Sequence, residues 1–178
     1  KVIPVSVNGV GNRPAGSGAS ADGEVMLDIE VAGAVAPEAS IVVYFAPNTD
    51  QGFLNAINAA IHDRHRKPSI LSISWGSPED QWPRQSLDVF NQAFHDAALL
   101  GISVFCAAGD NGSSDGEKDD KPHVDFPASS PWVVACGGTS LRAGDKQTAV
   151  ETVWNNDAGT SATGGGVSTF FSKPDYQA

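Results

Sequence analysis

The chain has 178 residues, of which 40% are hydrophobic, and it carries 11 lysines and arginines against 21 aspartates and glutamates. This length suits one domain with a sizeable core, and the formal net charge of -10 argues against a nucleic-acid or anionic-membrane partner, which would require a basic surface. No apolar run reaches the length of a membrane span, and the opening KVIPVSV is typical of a strand rather than of a signal peptide.

Short apolar runs alternate with helical patterns along the rest of the chain. The runs typical of strands buried on both faces are residues 40–47, 69–76, 101–110 and 132–138. Between them, residues 49–67 and 83–101 carry apolar residues at helical spacing, and Gly101 is a natural helix stop. The alternation predicts an α/β fold with a parallel, doubly wound sheet and helices on both faces. Long loops are predicted at residues 9–22, 110–128 and 139–166.

The stretch ADGEVMLDIEVAGAVAP, residues 21–37, places two carboxylates in an otherwise apolar helix. Glu24 and Asp28 stand four residues apart, so only about 40° separates them around the helix axis. The helix is apolar on nearly every side and is expected to be largely buried, whereas Glu30 is expected to face solvent. Two buried carboxylates this close cannot both ionise without cost. The pattern predicts a proton-sharing pair, and a surface pair without function is the alternative.

Five motifs together resemble one family of enzymes. They are DGEVMLDIEVAGAVAP, SISWGSPEDQW, AAGDNGSSDGE, HVDFPASSPWVVACGGTSL and GGGVSTFF, and they follow one another over nearly the whole chain in the order found in that family. They are similar to the sedolisins, which are serine-carboxyl peptidases of subtilisin-like fold, and within them to the kumamolisin branch. The resemblance implies a secreted endopeptidase, made as a zymogen, that cleaves peptides at low pH through a Ser-Glu-Asp triad.

The resemblance also assigns roles to individual residues. It implies that Glu24 is the general base, that Asp28 orients Glu24 and shares a proton with it, and that Asp110 completes the oxyanion hole. The substrate-binding residues that it implies are Ser74, Trp75, Gly76 and Asp125. Acid operation is chemically consistent with these roles, because a glutamate has a reference pKa of about 4.3 and an aspartic acid donates a hydrogen bond to an oxyanion only while protonated.

The serine nucleophile is missing from these motifs. Family members present it in a GTSA-type turn that opens a buried helix. Ser140 in CGGTSLRAGDK and Ser161 in AGTSATGGGV resemble that turn, but glycines or charges follow each of them, so neither should start a helix. We therefore expect the serine beyond Ala178 and an accessory glutamate before Lys1. The chain is expected to be part of one sedolisin-type catalytic domain and to be inactive alone.

The resemblance further implies a calcium ion, whose site is expected outside this chain. The partners that it implies are a peptide or protein substrate in an acidic, extracellular environment. A nicked enzyme, in which a second polypeptide supplies the remainder of the catalytic domain, is one of the open alternatives.

Other function classes have less support from the sequence. In VNGVGNRPAG, Pro14 stands where a dinucleotide loop needs its third glycine. The acidic loop DNGSSDGEKDD lacks EF-hand spacing and is expected to be solvated, and the four histidines show no zinc-site spacing. Cys106 and Cys136 lie in strand-like runs and are expected to be packed thiols. The remaining alternative is a catalytically inert sedolisin-like domain that binds peptides or a partner.

Overall fold

The computed structural model describes residues 1–16, 21–144, 149–157 and 160–177. By their contacts, these residues divide into two units, Lys1–Ser74 and Trp75–Ala178. The described residues form three α-helices and two parallel strand pairs within the units, which confirms the predicted α/β class. None of the described helices has the length and apolar character needed to cross a membrane. Three segments of the predicted loops, 17–20, 145–148 and 158–159, lie outside the described residues, as does Ala178.

The first unit contains a complete βαβ arrangement. Its elements are β1 (Val2–Ser6), α1 (Ala21–Val35), β2 (Ile41–Phe45), α2 (Asp50–Ile61) and β3 (Ile70–Ile73). β1 and β2 pair in parallel, from Val2 opposite Ile41 to Ser6 opposite Phe45, and α1 connects them. Both strands lie within the runs from which they were predicted, because each run is long enough for one short buried strand.

α2 begins at a side-chain cap and ends before a tight turn. Thr49 Oγ1 accepts the backbone N–H of Gly52 at 3.1 Å, which satisfies one of the unpaired donors of the first turn. The helix ends at Ile61, short of the predicted residue 67, because Asp63 accepts the backbone N–H of Arg66 at 3.0 Å and its guanidinium at 2.8 Å. These hydrogen bonds hold the pKa of Asp63 well below its usual range.

The prediction that α1 is largely buried is wrong. No residue of α1 is buried, and more than half of the surface is exposed at four apolar side chains, Met26, Leu27, Val31 and Val35. α1 packs on β2, where a Cβ atom added at Gly33 would lie 3.6 Å from Ile41 Cδ1. The apolar residues surround the helix axis rather than forming one stripe, so a single neighbouring strand covers only one side of them.

The second unit combines one long helix with many short strands. In chain order they are β4 (Ser77–Pro78), α3 (Arg84–Leu99), β5 (Ser103–Ala107), β6 (Asp125–Phe126), β7 (Val134–Cys136), β8 (Thr139–Ala143), β9 (Ala149–Val153), β10 (Asn155–Asp157) and β11 (Ser161–Ala162). Two short 3-10 helices lie at Glu79–Gln81 and Gly112–Ser114. β5 and β7 pair in parallel, with Cys106 opposite Ala135.

Aromatic rings form the core of the second unit. Phe90 and Phe94 of α3 and Phe126 of β6 are fully buried, and the ring centroids of Phe90 and Phe126 lie 6.0 Å apart in an edge contact. α3 ends at Leu99, and Gly101 follows with φ of +75°, as expected of a helix stop.

The two cysteines differ in their surroundings. Cys106 is buried on β5, and burial raises its pKa to about 12, so its thiol is a packed group as predicted. Cys136 is exposed, and the prediction that it is packed is wrong, because all three residues of β7 are exposed among the described residues.

The prediction of one long loop over residues 139–166 is also wrong, because the described residues of this range contain four short strands. β8 pairs with β9 and β10 pairs with β11, both in antiparallel fashion. The sequence signal was weak because β9 and β10 are exposed throughout, so they lack the apolar run that marks a buried strand. Ser140 lies on β8 and Ser161 on β11, which confirms that neither serine starts a helix.

Candidate active site

In the first unit, the two predicted catalytic carboxylates lie on consecutive turns of α1. Glu24 and Asp28 are both partly buried, whereas Glu30 is exposed as predicted. The Ser74 hydroxyl donates to both oxygens of Asp28, at 2.9 Å to Oδ1 and 3.0 Å to Oδ2. Ser74 follows β3, so the end of that strand orients the Asp28 carboxylate.

The start of α1 is fixed by a third carboxylate. Asp22 Oδ2 accepts the backbone N–H groups of Ala15 at 2.6 Å and Gly16 at 3.3 Å, which ties the preceding loop to the first turn. Asp22 and Glu24 also place negative charge at the helix N-terminus, where the helix dipole favours it.

In the second unit, Asp110 lies in a loop that follows β5 and is held through its backbone. The Asp110 carbonyl accepts the N–H of Ala162 at 2.9 Å, and the Gly109 carbonyl accepts the N–H of Gly164 at 2.8 Å. A Cβ atom added at Gly164 would lie 1.8 Å from the Ala108 carbonyl oxygen, so the two chain segments touch backbone to backbone. Asp110 is exposed to solvent.

Asp125 is a buried acid beside Gly76. It is 5% exposed on β6, and its Oδ1 atom is buried without a hydrogen-bond partner. Burial, followed by the charges of Asp115 and Asp110, raises the pKa of Asp125 to about 8. Asp125 and Asp110 thus lie close enough for the charge of Asp110 to act on Asp125.

Gly76 leaves room for the Asp125 carboxyl group. A Cβ atom added at Gly76 would lie 2.0 Å from Asp125 Oδ1 and 2.6 Å from the Phe126 carbonyl oxygen. The neighbouring Trp75 is 42% exposed. Gly76 therefore lies against β6, whereas the neighbouring Trp75 is accessible to solvent.

We expect Gly76→Ala to lower the unfolding midpoint of the protein strongly, because a backbone carbonyl on the paired strand cannot move aside cheaply. Gly33→Ala is the matched control: it adds the same methyl group on α1 at an ordinary contact distance and should be neutral or stabilising by about 1 kcal/mol. Thermal unfolding followed by circular dichroism measures both. Equal midpoints for the two variants would contradict the close approach at Gly76.

Asp115 is a buried acid that the sequence did not reveal. It is 9% exposed, so the prediction of a solvated acidic loop is wrong at this position. Its backbone has φ of +49°, a left-handed conformation that aspartate tolerates better than most residues. Burial raises the pKa of Asp115 to about 6, with His123 opposing the shift and nearby carboxylates adding to it. The only sequence signal was the DG pair, which is typical of turns and says nothing about burial.

His123 fixes the acidic loop from its far end. Its Nε2 atom lies 2.8 Å from Asp119 Oδ1 and its Nδ1 atom lies 2.9 Å from Asp80 Oδ2. The hydrogen bond with Asp119, together with the charge of Asp80, raises the pKa of His123 above its usual value. The imidazolium therefore bridges two carboxylates and joins the loop to the 3-10 helix Glu79–Gln81.

The described residues do not fit a metal site. Across residues 1–16, 21–144, 149–157 and 160–177, no three acidic, histidine or cysteine side chains are grouped so as to hold a metal ion.

Comparisons with known proteins place these features in a family. The model described as the subtilase family, peptidase S8, matches residues 7–175. The chain is 59% identical over 177 residues to kumamolisin from Bacillus sp. (strain MN-32), which covers 99% of this chain and 32% of kumamolisin. It is 35% identical over 138 residues to sedolisin from Pseudomonas sp. (strain 101), covering 71% of this chain and 23% of that protein.

A solved structure supports the predicted subtilisin-like fold. The chain matches Pseudomonas sedolisin, a serine-carboxyl proteinase complexed with two molecules of pseudo-iodotyrostatin, with a TM-score of 0.68 and 31% identity. The match covers 78% of this chain and 41% of that one. The chain thus spans about a third of the length of kumamolisin and less than half of the sedolisin structure.

Proposed function

Because the chain belongs to the subtilase family, we propose that the protein containing it is an acid-acting serine-type endopeptidase of the sedolisin kind. The observation that carries this proposal is the 59% identity to kumamolisin across 99% of the chain. The geometry adds support, since Glu24 and Asp28 lie on adjacent turns of one helix and Asp28 is held by Ser74.

In the proposed reaction, Glu24 accepts the proton of a serine hydroxyl while the serine oxygen attacks the peptide carbonyl carbon. Glu24 then gives that proton to the leaving amine as the C–N bond breaks, and a water molecule, activated in the same way, releases the acyl group. Asp28 orients Glu24, and its hydrogen bonds with Ser74 keep the carboxylate in place. The serine is expected beyond Ala178, so residues 1–178 alone would be inactive.

Asp110 would donate a hydrogen bond to the oxyanion that forms on the carbonyl oxygen. Only the protonated carboxyl can donate, which restricts this step to acid. The backbone contacts of Gly109 and Asp110 with Gly164 and Ala162 support the role, because a donor must be held in place before the charge develops.

The substrate would lie along the segment that contains Ser74, Trp75 and Gly76. Trp75 offers an exposed ring for a peptide side chain, and Asp125 would line a pocket behind Gly76. A protonated, neutral Asp125 would favour a different side chain from an ionised one, so we propose that the preference of this pocket changes with pH.

The biological setting is proposed on the same basis. We propose a secreted zymogen that acts on peptides or proteins in an acidic extracellular environment and that binds calcium outside residues 1–178. The remainder of the catalytic domain would follow in the same polypeptide or, in a nicked enzyme, in a second one.

The test is a peptide-hydrolysis assay of the complete protein from pH 2 to pH 8, after its denaturing mass has established which polypeptides are present. We expect hydrolysis in acid that declines toward neutral pH. A complete protein with a GTSA-type turn that binds peptides but cleaves none of a broad peptide library across this range would instead be the inert binding domain.

A further inference from the structure

Glu79 is a buried carboxylate that the proposed catalytic residues do not include. It is 3% exposed and lies at the start of the 3-10 helix Glu79–Gln81. Its Oε1 atom accepts the backbone N–H groups of Thr169 at 2.9 Å and Phe170 at 3.0 Å, and the Thr169 hydroxyl at 3.2 Å. Its Oε2 atom accepts the Ser168 hydroxyl at 2.6 Å. One side chain thus gathers four donors from a segment about 90 residues away.

The partner segment is organised around the same contacts. Ser168 Oγ accepts the N–H groups of Phe170 at 3.1 Å and Phe171 at 2.8 Å while its own proton goes to Glu79. The Phe171 ring stacks on Phe126 with a centroid distance of 5.9 Å. Residues 168–171 are therefore held by a buried ionic group and by the aromatic core together.

Glu79 itself is fixed through its backbone. Its N–H donates to the Val124 carbonyl at 2.8 Å, and it directly follows β4, which pairs with β6. β4 in turn follows Trp75 and Gly76. The Glu79 side chain therefore extends from a hydrogen-bonded stretch of backbone that directly follows the proposed substrate-binding segment.

The ionised form of Glu79 is the one that these donors require. Burial alone would raise the pKa of Glu79, but the hydrogen bonds from Ser168 and from the backbone of Thr169 and Phe170 outweigh burial and hold that pKa below its usual value. The charged groups that line the cavity of about 220 Å³ beside it are Asp80 and Arg84. The carboxylate thus stays charged under mildly acidic conditions.

We propose that Glu79 is a positioning residue: its carboxylate fastens residues 168–171, which precede the expected serine nucleophile, to the segment that follows Trp75 and Gly76. The inference rests on the proposed peptidase function. The chain just before this segment is also anchored, because the Gly164 N–H donates to the carbonyl of Gly109, next to Asp110. Residues 164–171 are therefore held at two points before the chain continues toward the expected serine. An error of about 1 Å in the position of a reacting group can cost about 10²-fold in rate.

The test uses the complete protein with Glu79→Gln, which keeps the size of the side chain but replaces one acceptor oxygen by a donor. We expect kcat to fall about 10- to 100-fold and KM to change less than about threefold, because the substrate segment keeps its own strand pairing. The loss should be largest above the ordinary pKa of a glutamate and should shrink as the pH falls through the lowered pKa of Glu79, where the wild-type carboxylate becomes protonated. Glu38→Gln, the same change at an exposed position, should leave both constants unaltered.

Hydrogen exchange separates the structural part of the proposal from the catalytic part. The amides of Thr169 and Phe170 should be protected in the wild type and should exchange at least 10-fold faster in Glu79→Gln. Ser168→Ala removes one of the four donors to Glu79 and also the oxygen that accepts the Phe170 and Phe171 N–H groups. It leaves the Glu79 carboxylate bound to the Thr169 and Phe170 amides, so it should speed their exchange less than Glu79→Gln does, which keeps the test informative if Glu79→Gln folds poorly.

The fastening of residues 168–171, the positioning role of Glu79 and the peptidase function are each contradicted by a different result. Rapid exchange of these amides in the wild type would overturn the fastening of residues 168–171. Lost protection with kcat within twofold of wild type would overturn the positioning role. A wild-type protein with protected amides but no peptidase activity would contradict the proposed function, and the positioning role with it, while leaving the fastening in place.

Discussion

In the complete protein, Glu24→Gln is expected to lower kcat for peptide hydrolysis by about 10²- to 10⁴-fold, the usual contribution of a general base. The amide has the shape of the carboxylate but cannot take the serine proton. Glu24 is only partly buried, so the variant should fold normally. Steady-state kinetics at the pH optimum, with circular dichroism as a check on folding, measures the effect.

The matched control for this variant is on the same helix. Glu30→Gln removes the same charge from an exposed position of α1, and we expect it to retain wild-type kcat. Asp28→Asn should lose activity because it disturbs the hydrogen bonds with Ser74 that orient the pair. Near-wild-type activity of Glu24→Gln would show that the base is elsewhere, and equal losses in Glu24→Gln and Glu30→Gln would attribute the effect to helix charge.

The parts of the fold that were predicted correctly depend on local patterns. β2 and β5 are short apolar runs, and α2 and α3 carry apolar residues at helical spacing, so neighbouring residues alone define them. The end of α3 depends on the conformational freedom of Gly101, which is a property of one residue. The positions of Glu24 and Asp28 on one helix face follow from helix geometry in the same way.

The parts that could not be predicted depend on residues far apart in the chain. Glu79 is buried because donors near residue 169 surround it, and no nearby residue signals them. Asp115 is buried by the packing of its loop, although the loop composition is that of a solvated segment. For α1, the apolar composition predicted a largely buried helix, but no residue of α1 is buried. Burial requires other elements that cover each side of the helix, and composition does not show whether they are present.

The second large effect is on stability: the complete protein should lose stability as the pH rises from about 4 to 8, and Asp125→Asn should abolish much of that loss. The pKa of Asp125 is raised from 3.8 to about 8 in the folded state. Folding therefore favours the protonated form of Asp125. The contribution of this group to the free energy of unfolding is fully present below about pH 4 and is lost as the pH rises toward 8. At pH 7 the ionisation of Asp125 should lower the free energy of unfolding by on the order of 2 to 4 kcal/mol relative to pH 4.

Two neighbouring groups act in the same direction. The pKa of Asp115 is raised to about 6, so its contribution also declines above pH 4. The pKa of His123 is raised as well, so its bridge to Asp119 and Asp80 is fully present below pH 6.5 and is lost as the pH rises through its folded pKa. Together these groups would favour the folded state under the acidic conditions in which the proposed peptidase works.

The decisive measurement is the difference in unfolding midpoint between Asp125→Asn and the wild type at several pH values. Near pH 4 the two should be almost equally stable, because an amide resembles a protonated carboxyl group in shape. Near pH 8 the variant should be the more stable, since it has no charge to bury beside Asp115 and Asp110. Asp175→Asn, at an exposed position, should show no such trend. A difference for Asp125→Asn that stays constant with pH would mean that this carboxyl group ionises at an ordinary pH, and that the acid preference of the fold has another source.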